Sequence, residues 1–243
     1  MDTPLLPIPE STARESRSIA PLWHTLLLIG ILLGISALGA NQEHHVLSHR
    51  ARVATYLLTM GVEWLTVAFV FWGIRKQDRI SLGELIGGKW HRPEDVVLDM
   101  AIAAGFLLVS FLVLGGLAVA LGVNNQPADV RKLSFLAPHG GLEVALWFLL
   151  SSTAGFCEEV IYRGYLQKQI AAWTNVAWVA VVAQGLLFGA SHAYEGGKRM
   201  VLIAVFGMMF GIVALLRKSL RPGMMTHAGY DIVAGIALRV FTK

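Results

Sequence analysis

The strongest constraint on this chain is a succession of apolar windows, each long enough to cross a hydrocarbon layer. A helix needs about 20 mostly apolar residues for that. Such windows read at roughly 22–40, 53–74, 96–121, 142–170, 176–194, 200–216 and 222–240. The expected fold is therefore all-α, a polytopic transmembrane helix bundle of about seven to eight spans. Composition agrees, with 55% hydrophobic and 15% charged residues and a mean hydropathy of +0.60, against about 25% charged in ordinary soluble domains. A soluble core of this length could not hide so much apolar surface.

Residues 1–20, with Pro4, Pro7 and Pro9 among mixed polar residues, read as a mobile N-terminal tail. The apolar run that follows is long enough to span and lacks a small-residue cleavage site, so it reads as a span rather than a secretory signal. Segments 21–141 and 142–243 form one membrane domain, the first supplying N-terminal helices and the second the residues with chemistry. In the loop from 75 to 95, Leu82, Leu85, Ile86 and Trp90 recur near helical spacing and suggest a short interfacial helix. The net charge is +4, but the basic residues sit in short loops between windows, the pattern of a membrane protein rather than of a nucleic-acid binder. Their excess on the side of the 75–95 loop is small. Cys157 is the only cysteine, so no intrachain disulfide can form, and it reads as a small buried residue.

Within the fourth window, Gly155 to Gln167 places Glu158, Glu159 and Arg163 in an otherwise apolar, helix-patterned stretch. Ionisable groups at membrane depth are costly and usually face a bundle interior or a wet cavity, where they do chemistry, transport or pairing. On a helix Glu159 and Arg163 share a face and can form a hydrogen-bonded ion pair. Glu158 lies about a quarter-turn away and stays free of that arginine. A purely structural ion pair joining two helices is the competing explanation.

Two further clusters follow, Phe188 to His192 late in the fifth window and His227 to Asp231 early in the last. A lone intramembrane histidine is usually an interhelical hydrogen-bond partner. Asp231, four residues after His227 on the same face, would hold that imidazole in one tautomer. Ser191, beside His192, is not expected to face it on a helix. His24, His44, His45, His49, His91 and His139 sit at span ends or loops and read as structural. Straight helices would separate His192 from His227 by roughly 10–20 Å along the membrane normal, at 1.5 Å rise per residue. Their convergence requires tilt, shifted boundaries, or broken backbone near Gly196–Gly197 and Pro222–Gly223.

The Glu-Glu-x-x-x-Arg run, the Phe-x-x-x-His of 188–192 and the His-x-x-x-Asp of 227–231, in that order, resemble the three motifs of the CPBP family. This is the group of CAAX prenyl endopeptidases and bacteriocin-processing or Abi-type intramembrane proteases. The resemblance covers residues 142–240; residues 1–141 match only in being helical and apolar. It implies that Glu158 is a water-activating glutamate, Glu159 and Arg163 its supporting pair, and His192 and His227 the remaining catalytic histidines. Asp231 stands where the prenyl branch carries asparagine, and an ionised aspartate cannot donate the hydrogen bond that an amide can.

Peptide hydrolysis by water requires a base and donors for the tetrahedral oxyanion. Glu158 fits the base, and His192 and His227 can position water, stabilise the oxyanion or protonate the leaving amine. Two imidazoles and a carboxylate also match a catalytic zinc site, in which Glu158, His192 and His227 would be the ligands. No His-Glu-x-x-His ligand motif is present, which slightly favours the metal-free mechanism. The expected partners are the lipid bilayer and a protein or peptide substrate, prenylated or not. The reading from another class is a proton-coupled transporter with a Glu/His relay. A relay calls for further titratable groups stepping across the spans, and only Glu63 qualifies. A non-catalytic scaffold would make all of these residues dispensable.

Overall fold

The computed structural model describes residues 18–40, 47–77, 80–123 and 136–241. Among them are eight helices and no strand: α1 (Leu22–Ala40), α2 (His49–Arg75), α3 (Leu82–Ile86), α4 (Pro93–Ala120), α5 (Gly141–Thr174), α6 (Ala177–Ala190), α7 (Gly197–Arg217) and α8 (Arg221–Phe241). A 3-10 turn, Ala193–Glu195, joins α6 to α7. Each of the seven apolar windows becomes a helix, and the short helix read in the 75–95 loop is α3.

Five helices, α1, α2, α4, α5 and α7, are long and apolar enough to cross a membrane. That is fewer than the seven windows suggest, for two physical reasons. With 14 residues, α6 is about 21 Å long at 1.5 Å per residue, well short of the ~30 Å hydrocarbon layer. In α8 the polar residues Arg221, His227, Asp231 and Arg239 dilute the apolar pattern. The bundle has the polarity of a membrane protein. Leu58, Leu65, Leu112 and Val119 point outward, whereas His24, Glu159, Arg163 and Gln184 are buried.

Helix α5 is the central element. From Cys157 to Leu166 its side chains enter the main core cluster, together with Val67, Val70 and Ile74 of α2, Phe188 of α6, and Phe206 and Phe210 of α7. Glycines set the close crossings. A Cβ at Gly155 would lie 2.7 Å from the Met224 carbonyl oxygen and 2.8 Å from the Ala228 amide nitrogen of α8. One at Gly207 would lie 3.0 Å from Gly185 Cα. The backbones of α5 and α8, and of α6 and α7, therefore approach in the way small residues allow in membrane bundles.

The expected tail lies mostly outside the described residues. Where description begins, Ile19 and Ala20 are anchored: both amides donate to Gln169 Oε1, at 2.7 and 3.2 Å, and Gln169 Nε2 donates back to the Ala20 carbonyl. At the same end of the bundle, α3 opens with a capping box between Ser81 and Glu84. It buries Leu85 against Gly164. Gly87, at φ +68, then lets the chain turn and pair with Ser219, and the Leu220 amide donates to the Ile86 carbonyl at 2.8 Å.

Candidate active site

The Glu158–Arg163 stretch does not remain an α-helix. Residues Glu159–Leu166 form a π-helical segment inside α5, and the Gln167 amide donates to the Tyr162 carbonyl, five residues back. Such widened turns recur at functional sites, but no residue pattern in the sequence signals this one. The expected ion pair is made within it: Arg163 Nη1 donates to Glu159 Oε1 at 2.8 Å, and both side chains are fully buried.

Two elements hold Arg163 from the other side. Its Nη2 donates to the Gly207 carbonyl at 3.1 Å, and its guanidinium carbon lies 4.5 Å from the ring centroid of Phe188 and 4.8 Å from that of Phe210. The carbonyl of Gly207 also accepts Gln184 Nε2, and that of Gly211, one turn on, accepts Gln167 Nε2. Side-chain donors on α5 and α6 thus reach the α7 backbone where glycine leaves it open.

His227 sits in an aromatic pocket of Phe188, Phe206 and Phe210, with ring centroids 5.3–6.0 Å away. Its Nδ1 lies 3.3 Å from Glu159 Oε1, so the ring donates there to a carboxylate that already holds Arg163. On the opposite side of the ring, Nε2 is 3.6 Å from Glu158 Oε2 and 3.8 Å from Asp231 Oδ2. Sequence spacing pointed to Asp231 as the group orienting His227. It lies on the expected face but beyond hydrogen-bond distance, and Glu159 makes the hydrogen bond.

The two adjacent glutamates differ in exposure. The side chain of Glu158 is 19% exposed and that of Glu159 0%, so only Glu158 has a path to water. Gly223 explains how Glu159 is enclosed: a Cβ there would lie 2.9 Å from Glu159 Oε2.

His192 lies outside α6. The helix ends at Ala190, and His192 follows the capping residue Ser191 with non-helical backbone angles. This shifted boundary takes it off the helix and sets it against Phe188. His192 and His227 both pack edge-on against Phe188, at 4.8 and 6.0 Å between centroids. His192 is within electrostatic reach of Asp231, and both imidazoles share Phe188 as a neighbour. His192 Nδ1 donates to the Phe188 carbonyl at 2.8 Å, so the proton of the neutral ring sits on Nδ1 and not on Nε2.

Because the helix has ended, Ser191 Oγ comes within 3.3 Å of His192 Nδ1, against the sequence expectation. Ser191 is itself tied down, accepting from the Tyr162 hydroxyl at 2.7 Å and donating to the Phe188 carbonyl at 2.8 Å. It carries no sign of a nucleophile. Among the described residues, no three His, Cys, Asp or Glu side chains form a group that could hold a metal ion. Glu158, His192 and His227, as arranged, do not fit the zinc ligand set.

The histidines read as structural include His24, which is fully buried. Its Nε2 donates to the Phe69 carbonyl at 2.9 Å, and its Nδ1 accepts from the Tyr165 hydroxyl at 2.8 Å. His44 and His45 lie outside the described residues. Sequence reasoning did not place Glu63 in the site, yet the structure brings it within electrostatic reach of Glu158, His227 and Asp231. Its signal was available: Glu63 falls on the buried stripe of α2 between Met60 and Val67.

Residues 140–233 match the family model described as Type II CAAX prenyl endopeptidase Rce1-like. No curated protein and no solved structure matches the chain. The matched segment contains Glu158, Glu159, Arg163, His192, His227 and Asp231, and the five long apolar helices make the chain an integral multi-pass membrane protein. Residues 140–233 are thus similar to the Rce1-like family of CAAX proteases, the group to which the three sequence motifs pointed.

Proposed function

We propose that the chain is an intramembrane endopeptidase in which Glu158 activates a water molecule to hydrolyse a peptide bond of a membrane-associated or prenylated protein. The observation that carries this reading is the position of His227, hydrogen-bonded to buried Glu159 through Nδ1 and facing the partly exposed Glu158 through Nε2. One carboxylate is fixed by Arg163 and orients the imidazole. The other is left to react.

In the hydrolytic step the water gives a proton to Glu158 and its oxygen attacks the scissile carbonyl carbon. The tetrahedral intermediate collapses with cleavage of the C–N bond, and the proton passes from Glu158 to the leaving amine. His227 Nε2, 3.6 Å from Glu158 Oε2, is the nearest imidazole nitrogen to that transfer. His192, with Nδ1 committed to Phe188, offers Nε2 as an acceptor when neutral and as a donor when protonated. Only the protonated ring could stabilise an oxyanion or supply the amine proton.

The test uses purified protein in liposomes with a fluorogenic farnesylated CAAX peptide and its unprenylated counterpart. The expected result is cleavage by the unmutated protein and none by Glu158→Gln, with unchanged melting of the variant. Full activity of Glu158→Gln removes Glu158 as the base. Proton-driven flux without cleavage in the unmutated protein overturns the endopeptidase reading in favour of a transporter.

A further inference from the structure

Glu63 comes from α2, outside the segment that matches the family model. The buried face of α2 runs through Arg52, Tyr56, Met60, Val67, Val70 and Ile74. A helix facing a core at that spacing should carry an apolar residue at position 63. It carries a glutamate. The register against α5 is fixed immediately after it: Trp64 stacks on Phe156 at 5.4 Å between centroids, and Val67 and Val70 join the cluster of Cys157, Val160 and Ile161.

Glu158 and Cys157 of α5 and His227 and Asp231 of α8 lie within electrostatic reach of Glu63. Its Oε2 is buried and makes no hydrogen bond within the protein, and the same is true of Glu158 Oε2. Buried carboxylate oxygens need donors, and the acids on either side provide none when ionised. A single water provides two hydrogens, and a buried water requires two to four polar partners.

We propose that Glu63 is a water-positioning residue of the active centre, accepting one hydrogen of the water whose other hydrogen is transferred to Glu158. This rests on the endopeptidase reading and adds to it a carboxylate from the N-terminal helices. In the step, the O–H bond toward Glu158 breaks and its proton moves to that carboxylate. The released electron pair forms the new C–O bond to the scissile carbonyl carbon as the carbonyl π pair moves onto its oxygen, and the second hydrogen stays on the attacking oxygen, held by Glu63. Two acceptors fix the direction of the oxygen lone pair, which is how a positioned nucleophile gains over bulk water.

The experiment measures kcat and KM on the farnesylated CAAX peptide for Glu63→Gln, Glu63→Leu and Glu158→Gln, each with a thermal melt. Glu63→Gln keeps an acceptor oxygen, so kcat should fall about tenfold with KM unchanged, whereas Glu63→Leu should lose about a hundredfold or more. A folded Glu63→Leu protein with kcat close to that of the unmutated protein overturns the proposal, as does a raised KM at constant kcat. If Glu63→Leu fails to fold, an unchanged kcat in Glu63→Gln overturns it alone. An active Glu158→Gln protein would instead remove the endopeptidase reading. Infrared spectroscopy without substrate gives an independent measurement. The carboxyl band lost in Glu158→Gln should be displaced in Glu63→Gln, and an undisplaced band refutes the shared water.

Discussion

His227 Nδ1 lies 3.3 Å from Glu159 Oε1, the same oxygen that takes Arg163 Nη1 at 2.8 Å. One buried carboxylate oxygen therefore couples His227 of α8 to the arginine of the π-helical segment in α5. Through Arg163 Nη2 it also reaches the Gly207 carbonyl of α7. Three helices meet at a charge, so their relative position and the orientation of the imidazole are set together.

Arg163→Ala should destabilise the protein severely. The substitution strands Glu159 in a fully enclosed site, and breaking a buried pair in this way costs about 3–5 kcal/mol. It also removes the cation held between Phe188 and Phe210. Thermal melting in a fixed detergent should show a large fall, and a melt within a degree or two of the unmutated protein would contradict the role assigned to the pair.

The hydrogen bond from His227 to Glu159 ranks two substitutions. Asp231, at 3.8 Å from Nε2, makes no hydrogen bond with the ring, so Asp231→Asn should keep cleavage within about tenfold of the unmutated rate. Glu159→Gln removes the charge that Arg163 and His227 share and should lose about a hundredfold, with part of the loss visible as reduced stability. The reverse order in a cleavage assay would return the orienting role to Asp231.

Gly155→Ala tests the α5–α8 crossing. The new methyl would meet the backbone of Met224 and Ala228 at 2.7 and 2.8 Å, and backbone atoms cannot swing aside as a side chain can. Overpacking of this kind costs about 1–3 kcal/mol. Since Met224 and Ala228 flank His227, the helices must separate where Glu158 and His227 face each other. Activity should fall more steeply than stability, and a variant with normal kcat would show that the crossing tolerates an outward shift.

The apolar windows and the three motifs were legible because each is written in residue type at helical spacing. The helices, the Glu159–Arg163 pair and the face shared by His227 and Asp231 followed from them. What was not legible depends on backbone geometry or on contacts distant in sequence. The π-helical turn has no residue signature. The end of α6 at Ala190, which frees His192 and lets Ser191 approach it, lies inside a continuous apolar run. Glu63 is separated from Glu158 by nearly a hundred positions and becomes visible only when the stripe on α2 is laid against α5. That Glu159 and not Asp231 hydrogen-bonds His227 depends on which ring nitrogen faces which carboxylate, Nδ1 at 3.3 Å from Glu159 and Nε2 at 3.8 Å from Asp231.

Acid should loosen α3 before the bundle. The Ser81 amide and hydroxyl both donate to Glu84 Oε2, at 2.7 and 2.8 Å, and hold its carboxyl below the usual range. A carboxylate with a depressed folded pKa contributes stability above its unfolded value, and that contribution is lost as pH falls through the folded one. The protection of the Leu82–Ile86 amides, taken relative to their intrinsic exchange rates, should therefore fall below about pH 4.5, the unfolded value from which Glu84 is lowered. In Glu84→Gln it should already be low at neutral pH. Protection that is independent of pH in the unmutated protein would contradict the cap.

The last prediction concerns metal. Among the described residues, Glu158, His192 and His227 do not form a group that could hold a metal ion, and both imidazoles pack against Phe188. A zinc ion needs ligand atoms about 2.0–2.2 Å from one centre, an arrangement these three side chains do not make in the structure. Prolonged treatment with a strong chelator should therefore leave cleavage of the farnesylated peptide intact. Metal analysis of active protein should find well under one equivalent of zinc. Loss of activity on chelation, restored by zinc and abolished in both His192→Ala and His227→Ala, would establish the metal site and require the loop after α6 to rearrange around it.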